Sequence, residues 1–214
     1  DDDAARLARQ ALEVGGEYQQ VADNAVTSLA TVYVRNGQTK AAIVQLYKYL
    51  EKYPNSIELR LKLGQLLLDL RNLEEAAANL LLVSQKMPYY DWGHALFGID
   101  MVERGRAKIA YSSLMEALRL NPNNADARKS LDQIQPSLAG QMLYAQPATV
   151  QLASYPSAAP RKLVQGRIND GGKFIQDGIA VEFHENGRLK QFVDYELGKV
   201  LGLVKAWDET GNPL

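Results

Sequence analysis

Apolar residues along the first 130 positions recur at the three-to-four spacing of helix faces, whereas from about 164 onward they alternate with polar ones between glycines. Val26, Leu29, Ala30 and Tyr33 fall on one helical stripe, and Gly37 follows where a left-handed cap residue costs nothing. Ala42, Leu46 and Leu50 mark a second helix, which must end before Pro54. Asn55 and Ser56 then offer side-chain oxygens to cap the next helix, and Asp91 and Asn124 stand near the equivalent later boundaries. This helical hairpin recurs. Ala42, Ala76 and Ala110 are 34 residues apart, as are Leu46, Leu80 and Leu114, and Pro54, Pro88 and Pro122. Leu29, Leu63 and Phe97 keep the same spacing, and so do the small residues Ala30, Gly64 and Gly98. Columns held in one register without an insertion mean stacked supersecondary units, and small residues at the Ala30 and Ala42 columns let two helix axes approach closely.

The pattern resembles the tetratricopeptide repeat, most closely in the unit DWGHALFGIDMVERGRAKIAYSSLMEALRLNPNN. Three full units cover 23–124; residues 3–16, with Ala4, Ala8 and Ala11, match the second helix of a preceding half unit, and ADARKSLDQI at 125–134 matches a capping helix. Two departures stand out. The family's early bulky aromatic is Val26, Arg60 and His94 here, and the turn glycine of the second unit is Arg71. A left-handed non-glycine residue costs roughly 1–2 kcal/mol, which makes the second hairpin the least ideal.

The resemblance implies a concave groove for an extended peptide. It would be lined by Asn24, Thr27, Thr31 and Val34, then Glu58, Leu61, Gln65 and Leu68, then Trp92, Ala95, Ile99 and Val102. Some members of the family grip a C-terminal carboxylate there with lysine and asparagine; threonines, leucine and glutamine occupy this groove, so that mode is rejected. Leu61, Leu68, Trp92, Ile99 and Val102 make it mildly apolar, a surface that something usually covers. Trp92 is the expected anchor, since tryptophan is enriched at binding hot spots.

From Gln133 to Pro160 there is no charged residue, and prolines at 136, 147, 156 and 160 argue against a long helix. Leu138, Met142, Leu143, Tyr144, Val150, Leu152 and Tyr155 make this run too apolar for a free linker, so it is expected to lie on the solenoid, with the groove as its nearest seat. Beyond it, Ile179, Val181 and Phe183 alternate with Ala180, Glu182 and His184, and Asn186-Gly187 is a strong hairpin signal. Leu189, Val193 and Tyr195 continue past that turn, and Gly198 turns the chain again. Gly178, Phe183 and Gly187 recur 24 residues on as Gly202, Trp207 and Gly211. The arrangement from about 164 to the end resembles the variant MORN repeat of bacterial antitoxin-like proteins, a family associated with protein contacts. The last strand is expected to present an open edge able to pair with another chain.

Composition narrows the function. The 214 residues carry a formal charge of −1, without the basic stripe that nucleic acid demands. There is no cysteine, so disulfides and thiolate chemistry are excluded, and no apolar run reaches the 18 or more residues of a membrane span. The opening DDDAARL, without methionine, is read as a processed or cut start. His94 and His184 lack a second histidine at metal-ligand spacing, and no nucleophile-elbow, phosphate-loop or dinucleotide motif occurs. The expectation is an α+β protein without enzymatic activity or cofactor: a solenoid over 1–134, an uncharged linker over 135–163 and a small antiparallel β-meander over 164–214. Its expected role is an adaptor binding a protein or peptide through the groove, with a second contact through the β-tail. Self-assembly through the linker or the β-edge, as a homo-oligomer, and neutralisation of a partner protein are the alternatives. Cysteine-free composition and the neutral Ala/Gln/Ser/Pro run favour the periplasm or cell envelope over the cytoplasm.

Overall fold

A computed structural model describes residues 2–15, 18–140 and 149–214. Among the described residues eight helices come first: α1 (Asp2–Gly15), α2 (Gln19–Arg35), α3 (Thr39–Lys52), α4 (Ile57–Asp69), α5 (Leu73–Lys86), α6 (Asp91–Glu103), α7 (Ala107–Leu120) and α8 (Ala125–Leu138). The pairs α2/α3, α4/α5 and α6/α7 are the three hairpins of the 34-residue repeat, and their turns share one geometry. Gly37, Arg71 and Gly105 have φ of 73°, 59° and 71°, and each donates its backbone N–H to the carbonyl three residues back at 2.9 Å. Arg71 is therefore truly left-handed, where glycine would be unstrained. The small-residue column does what its spacing predicts. A Cβ on Gly64 would come 2.7 Å from Leu80, and one on Gly98 the same distance from Leu114, so glycine sets the separation within the second and third hairpins.

Five strands follow: β1 (Thr149–Ser154), β2 (Pro160–Ile168), β3 (Phe174–Phe183), β4 (Leu189–Glu196) and β5 (Lys199–Ala206). They pair in chain order as one antiparallel meander. Four turns repeat a single design at 155–159, 169–173, 184–188 and 208–212. In each, the first residue's N–H reaches the fifth residue's carbonyl, and the fourth residue's N–H reaches the first residue's carbonyl, all at 2.8–3.0 Å. The fourth position is left-handed at Ala158, Gly172, Gly187 and Gly211, with φ of 65°, 75°, 84° and 92°.

Two expectations are corrected. The uncharged run is not a linker throughout: α8 continues through Pro136 to Leu138, β1 occupies 149–154, and β2 begins at Pro160. Proline is tolerated in α8 because it lies in the last turn, where little helix follows it. Residues 141–148 of the run lie outside the described residues. Nor is the tail a separate module. Leu163, Ile179, Val181, Phe183, Leu189 and Phe192 on its inner face join the helices in one continuous core, leaving Val164, Ala180 and Val193 in a smaller cluster with Phe174 and Tyr195. The sheet packs through β4 on α5, the second helix of its hairpin. Every residue of α5 from Ala76 to Ser84 is consequently buried, as befits a helix covered on all sides.

Polar contacts fix the sheet in place. The Arg60 guanidinium stacks 5.0 Å from the centroid of the Phe183 ring, Arg188 lies 4.4 Å from that of Tyr47, and Arg104 lies 4.4 Å from that of Phe192. Arg104 also bridges Glu74 of α5 at 3.1 Å and Asp194 of β4 at 2.5 Å, while Lys205 of β5 reaches Glu74 at 2.7 Å.

Candidate functional site

The sheet packs on α5, a second helix of a hairpin, whereas α4 and α6 are first helices. Between α4, α6 and the start of α8 lies an open trough of about 400 Å³. Its walls are Gln65, Leu68, Asp69, Arg71, Trp92, Leu96, Ile99, Glu103 and Asp126. Four residues expected from the sequence meet here: Gln65, Leu68, Trp92 and Ile99. None of residues 149–163 lines it: the end of the uncharged run that β1 and the start of β2 occupy is seated in the sheet rather than in the groove.

Trp92 is held by the turn that precedes it and by the hairpin that follows. Its neighbour Asp91 accepts from the Asn121 and Asn124 side-chain amides at 3.0 and 2.9 Å, which ties the start of α6 to the α7–α8 turn. Burial pushes the Asp91 carboxyl up, but these amides and the Trp92 and Asp91 backbone N–H groups together outweigh it and the pKa is lowered. One turn on, His94 Nε2 lies 3.0 Å from the Pro88 carbonyl oxygen. The same repeat column places Arg60 on the Pro54 carbonyl at 3.1 and 2.9 Å and Arg128 on the Pro122 carbonyl at 3.1 Å. The column that departs from the family's aromatic thus holds the turn carbonyl six residues back. With that turn fixed, Trp92 is set at the mouth of the trough.

The other expected groove residues do not line this trough. Thr27 and Thr31 donate their hydroxyls to the carbonyls of Asp23 and Thr27 at 2.7 and 2.8 Å, a local back-bonding that leaves neither proton free for a ligand. Asn24, in the second turn of α2, and Glu58, in the first turn of α4, are exposed, while Ala95 is fully buried. Val34 and Leu61 are half-buried and pack on the core. Val102 lines a different cleft of about 530 Å³, between the α6–α7 turn, α8 and the sheet, with Arg106, Ile109, Ile134 and Leu201. The trough residues that sequence reasoning missed are Leu96, Asp69, Arg71, Glu103 and Asp126. Asp69 and Glu103 occupy equivalent positions of the repeat, as do Trp92 and Asp126, but that spacing alone does not say which of them face a groove.

Among the described residues no three histidine or acidic side chains converge as a metal set, and no helix is long and apolar enough to cross a membrane. Chemistry concentrates instead beneath the sheet. Asp100 of α6 is fully buried, neither carboxylate oxygen has a hydrogen-bond partner among the described residues, and burial raises its pKa to about 8 against the pull of Arg104.

Comparison with known proteins places this geometry. Residues 2–82 match a family model described as anaphase-promoting complex, cyclosome, subunit 3. No curated protein sequence matches. Among solved structures, the first TPR of Spaghetti (RPAP3), bound to the HSP90 peptide SRMEEVD, is similar with a TM-score of 0.52 and 19% identity, over 55% of this chain and 94% of that one. MamA from AMB-1 is similar with a TM-score of 0.51 and 19% identity, over 64% of this chain and 84% of that one. At this identity the likeness is one of fold, a tetratricopeptide-type helical solenoid.

Proposed function

We propose that the protein is a non-catalytic adaptor whose solenoid takes an extended peptide in the trough between α4 and α6. The observation that carries the reading is the trough itself: Leu68, Trp92, Leu96 and Ile99 give it an apolar lining, and no strand residue lines it. Gln65, which also lines the trough, supplies an amide that can pair with a peptide backbone. Peptide binding by a protein of similar fold supports the same use here.

The test is selection of displayed random peptides on the whole protein, followed by binding to Trp92→Ala and Ile99→Ala. Enriched peptides are expected to lose at least about tenfold in affinity to Trp92→Ala, the effect of removing a hot-spot anchor. Peptides that bind both variants as well as the parent would place the binding surface elsewhere.

A second reading is self-assembly through β5. Val200, Leu203 and Val204 are 48%, 84% and 51% exposed on this last strand. A chain-end bridge from Trp207 to Pro213 leaves most of its outer edge without a ladder. The repeated turn of the meander, found 24 residues apart at 184–188 and 208–212, supports a MORN-like sheet that uses this edge for protein contacts. Light-scattering mass that rises with concentration in the parent, but not in Leu203→Lys, is the expected result for this mode; a constant monomer mass rejects it.

A further inference from the structure

The charge of the trough points to a particular class of peptide. Its floor is apolar, but carboxylates stand at both ends. Asp69 is the last residue of α4 and Glu103 the last of α6, so both lie where helix C-termini already concentrate partial negative charge. Asp126, in the first turn of α8, lines the same trough as Trp92. Arg71 is the single cation among the residues lining the trough, and its guanidinium is engaged by Glu103. Neither Asp69 nor Asp126 has a hydrogen-bond or ion-pair partner among the described residues. Bound water satisfies exposed carboxylates, yet a ligand laid along this floor meets two unpaired acids and a third paired one.

We propose that the trough is selective for a basic segment: an apolar or aromatic side chain seated against Trp92, Leu96 and Ile99, with lysine or arginine on either flank to meet Asp69 and Asp126. The assignment rests on the peptide-binding reading above and goes one step further, from a groove to the charge of its occupant. An acidic peptide such as SRMEEVD, which the Spaghetti domain holds, would here bring carboxylates against carboxylates. Like-charge juxtaposition excludes wrong partners as effectively as attraction selects right ones.

The experiment uses the whole protein carrying Trp207→Phe, so that Trp92 is the sole tryptophan emitter. Its fluorescence is titrated with two capped synthetic peptide pools. Both have the same randomised centre of Leu, Ile, Val, Phe and Tyr; one is flanked by Lys-Lys on each side and the other by Glu-Glu. The basic pool is expected to shift Trp92 emission and to weaken about tenfold between low salt and 0.5 M sodium chloride, which screens beyond roughly 4 Å. It is also expected to weaken by about tenfold in the double variant Asp69→Asn, Asp126→Asn, whose exposed sites leave the fold intact, as a melting curve checks. The acidic pool is expected to bind at least about tenfold more weakly. Equal or tighter binding of the acidic pool, or no change in the double variant, overturns the charge assignment while leaving a peptide groove. Silence of Trp92 with both pools overturns the groove reading itself.

Discussion

At the scale of single residues, the repeat column Arg60, His94 and Arg128 shows how one structural duty is met by different chemistries. Each holds the carbonyl of the turn proline six residues before it. Arg60 does more, because it is fully buried: it also donates to Asn79 at 2.9 Å and carries the Phe183 ring of the sheet. Burial lowers its pKa to about 10, so it remains charged at neutral pH. Arg60→Ala would orphan the Pro54 carbonyl and the Asn79 amide and open a cavity under Phe183. A loss of about 3 kcal/mol in urea unfolding is expected, against about 1 kcal/mol for His94→Ala, which gives up one contact. Similar losses from the two variants would deny Arg60 its second role.

Asp100 works in the opposite direction. It is fully buried without a hydrogen-bond partner among the described residues, and Arg104, Glu74, Asp194 and Glu103 are the charges that act on it. Its carboxyl is raised from 3.8 to about 8 in the fold, so between those values the unfolded chain releases a proton that the folded chain keeps. Stability from this group is whole below pH 4, falls as pH rises towards 8 and then levels off. Asp100→Asn, which cannot ionise, is expected to match the parent near pH 4 and exceed it by on the order of 2–4 kcal/mol at pH 8. Melting curves across that range decide; a gap that does not widen with pH would remove Asp100 as its source.

At the scale of elements, the hairpins were legible because their periodicity is redundant: alanine, leucine, proline and small-residue columns all keep one register. The departure at Arg71 was legible for the same reason, and its φ of 59° follows the glycines at 37 and 105. Its ion pair with Glu103 offsets little, since the Arg71 side chain is 70% exposed. Arg71→Gly is expected to stabilise by about 0.5–1 kcal/mol. Gly98→Ala should destabilise by about 1–3 kcal/mol, because its methyl would meet Leu114 at 2.7 Å. Chemical denaturation of the two variants checks both signs. The strands inside the uncharged run were not legible. In Thr149–Ser154, alanine, glutamine and serine blur the period of two, and β2 supplies the pairing that local propensity does not. Nor were the acids of the trough: an exposed carboxylate on a helix looks the same in sequence whether it faces solvent or a groove.

At the scale of the whole molecule, the sequence did carry a clue to the sheet's position, in the run EEAAANLLLVS of α5. A helix apolar on every side cannot leave one side in water. The sheet resolves this by burying six large inner-face side chains against the solenoid, each contributing roughly 1.5–3 kcal/mol. Two parts that share such a core should unfold as one. The two tryptophans allow the comparison, Trp92 standing in α6 and Trp207 just past β5. Variants retaining only one or the other are expected to give the same urea midpoint. Phe192→Ala, which removes a ring 2% exposed and stacked on Arg104, should shift both midpoints together by the equivalent of about 3–5 kcal/mol. If Trp207 reported an earlier transition and Trp92 did not move, the sheet would be an independent cover on a self-sufficient solenoid. The joint shift instead makes the sheet a structural half of the fold, because the solenoid and the inner face of the sheet share one core.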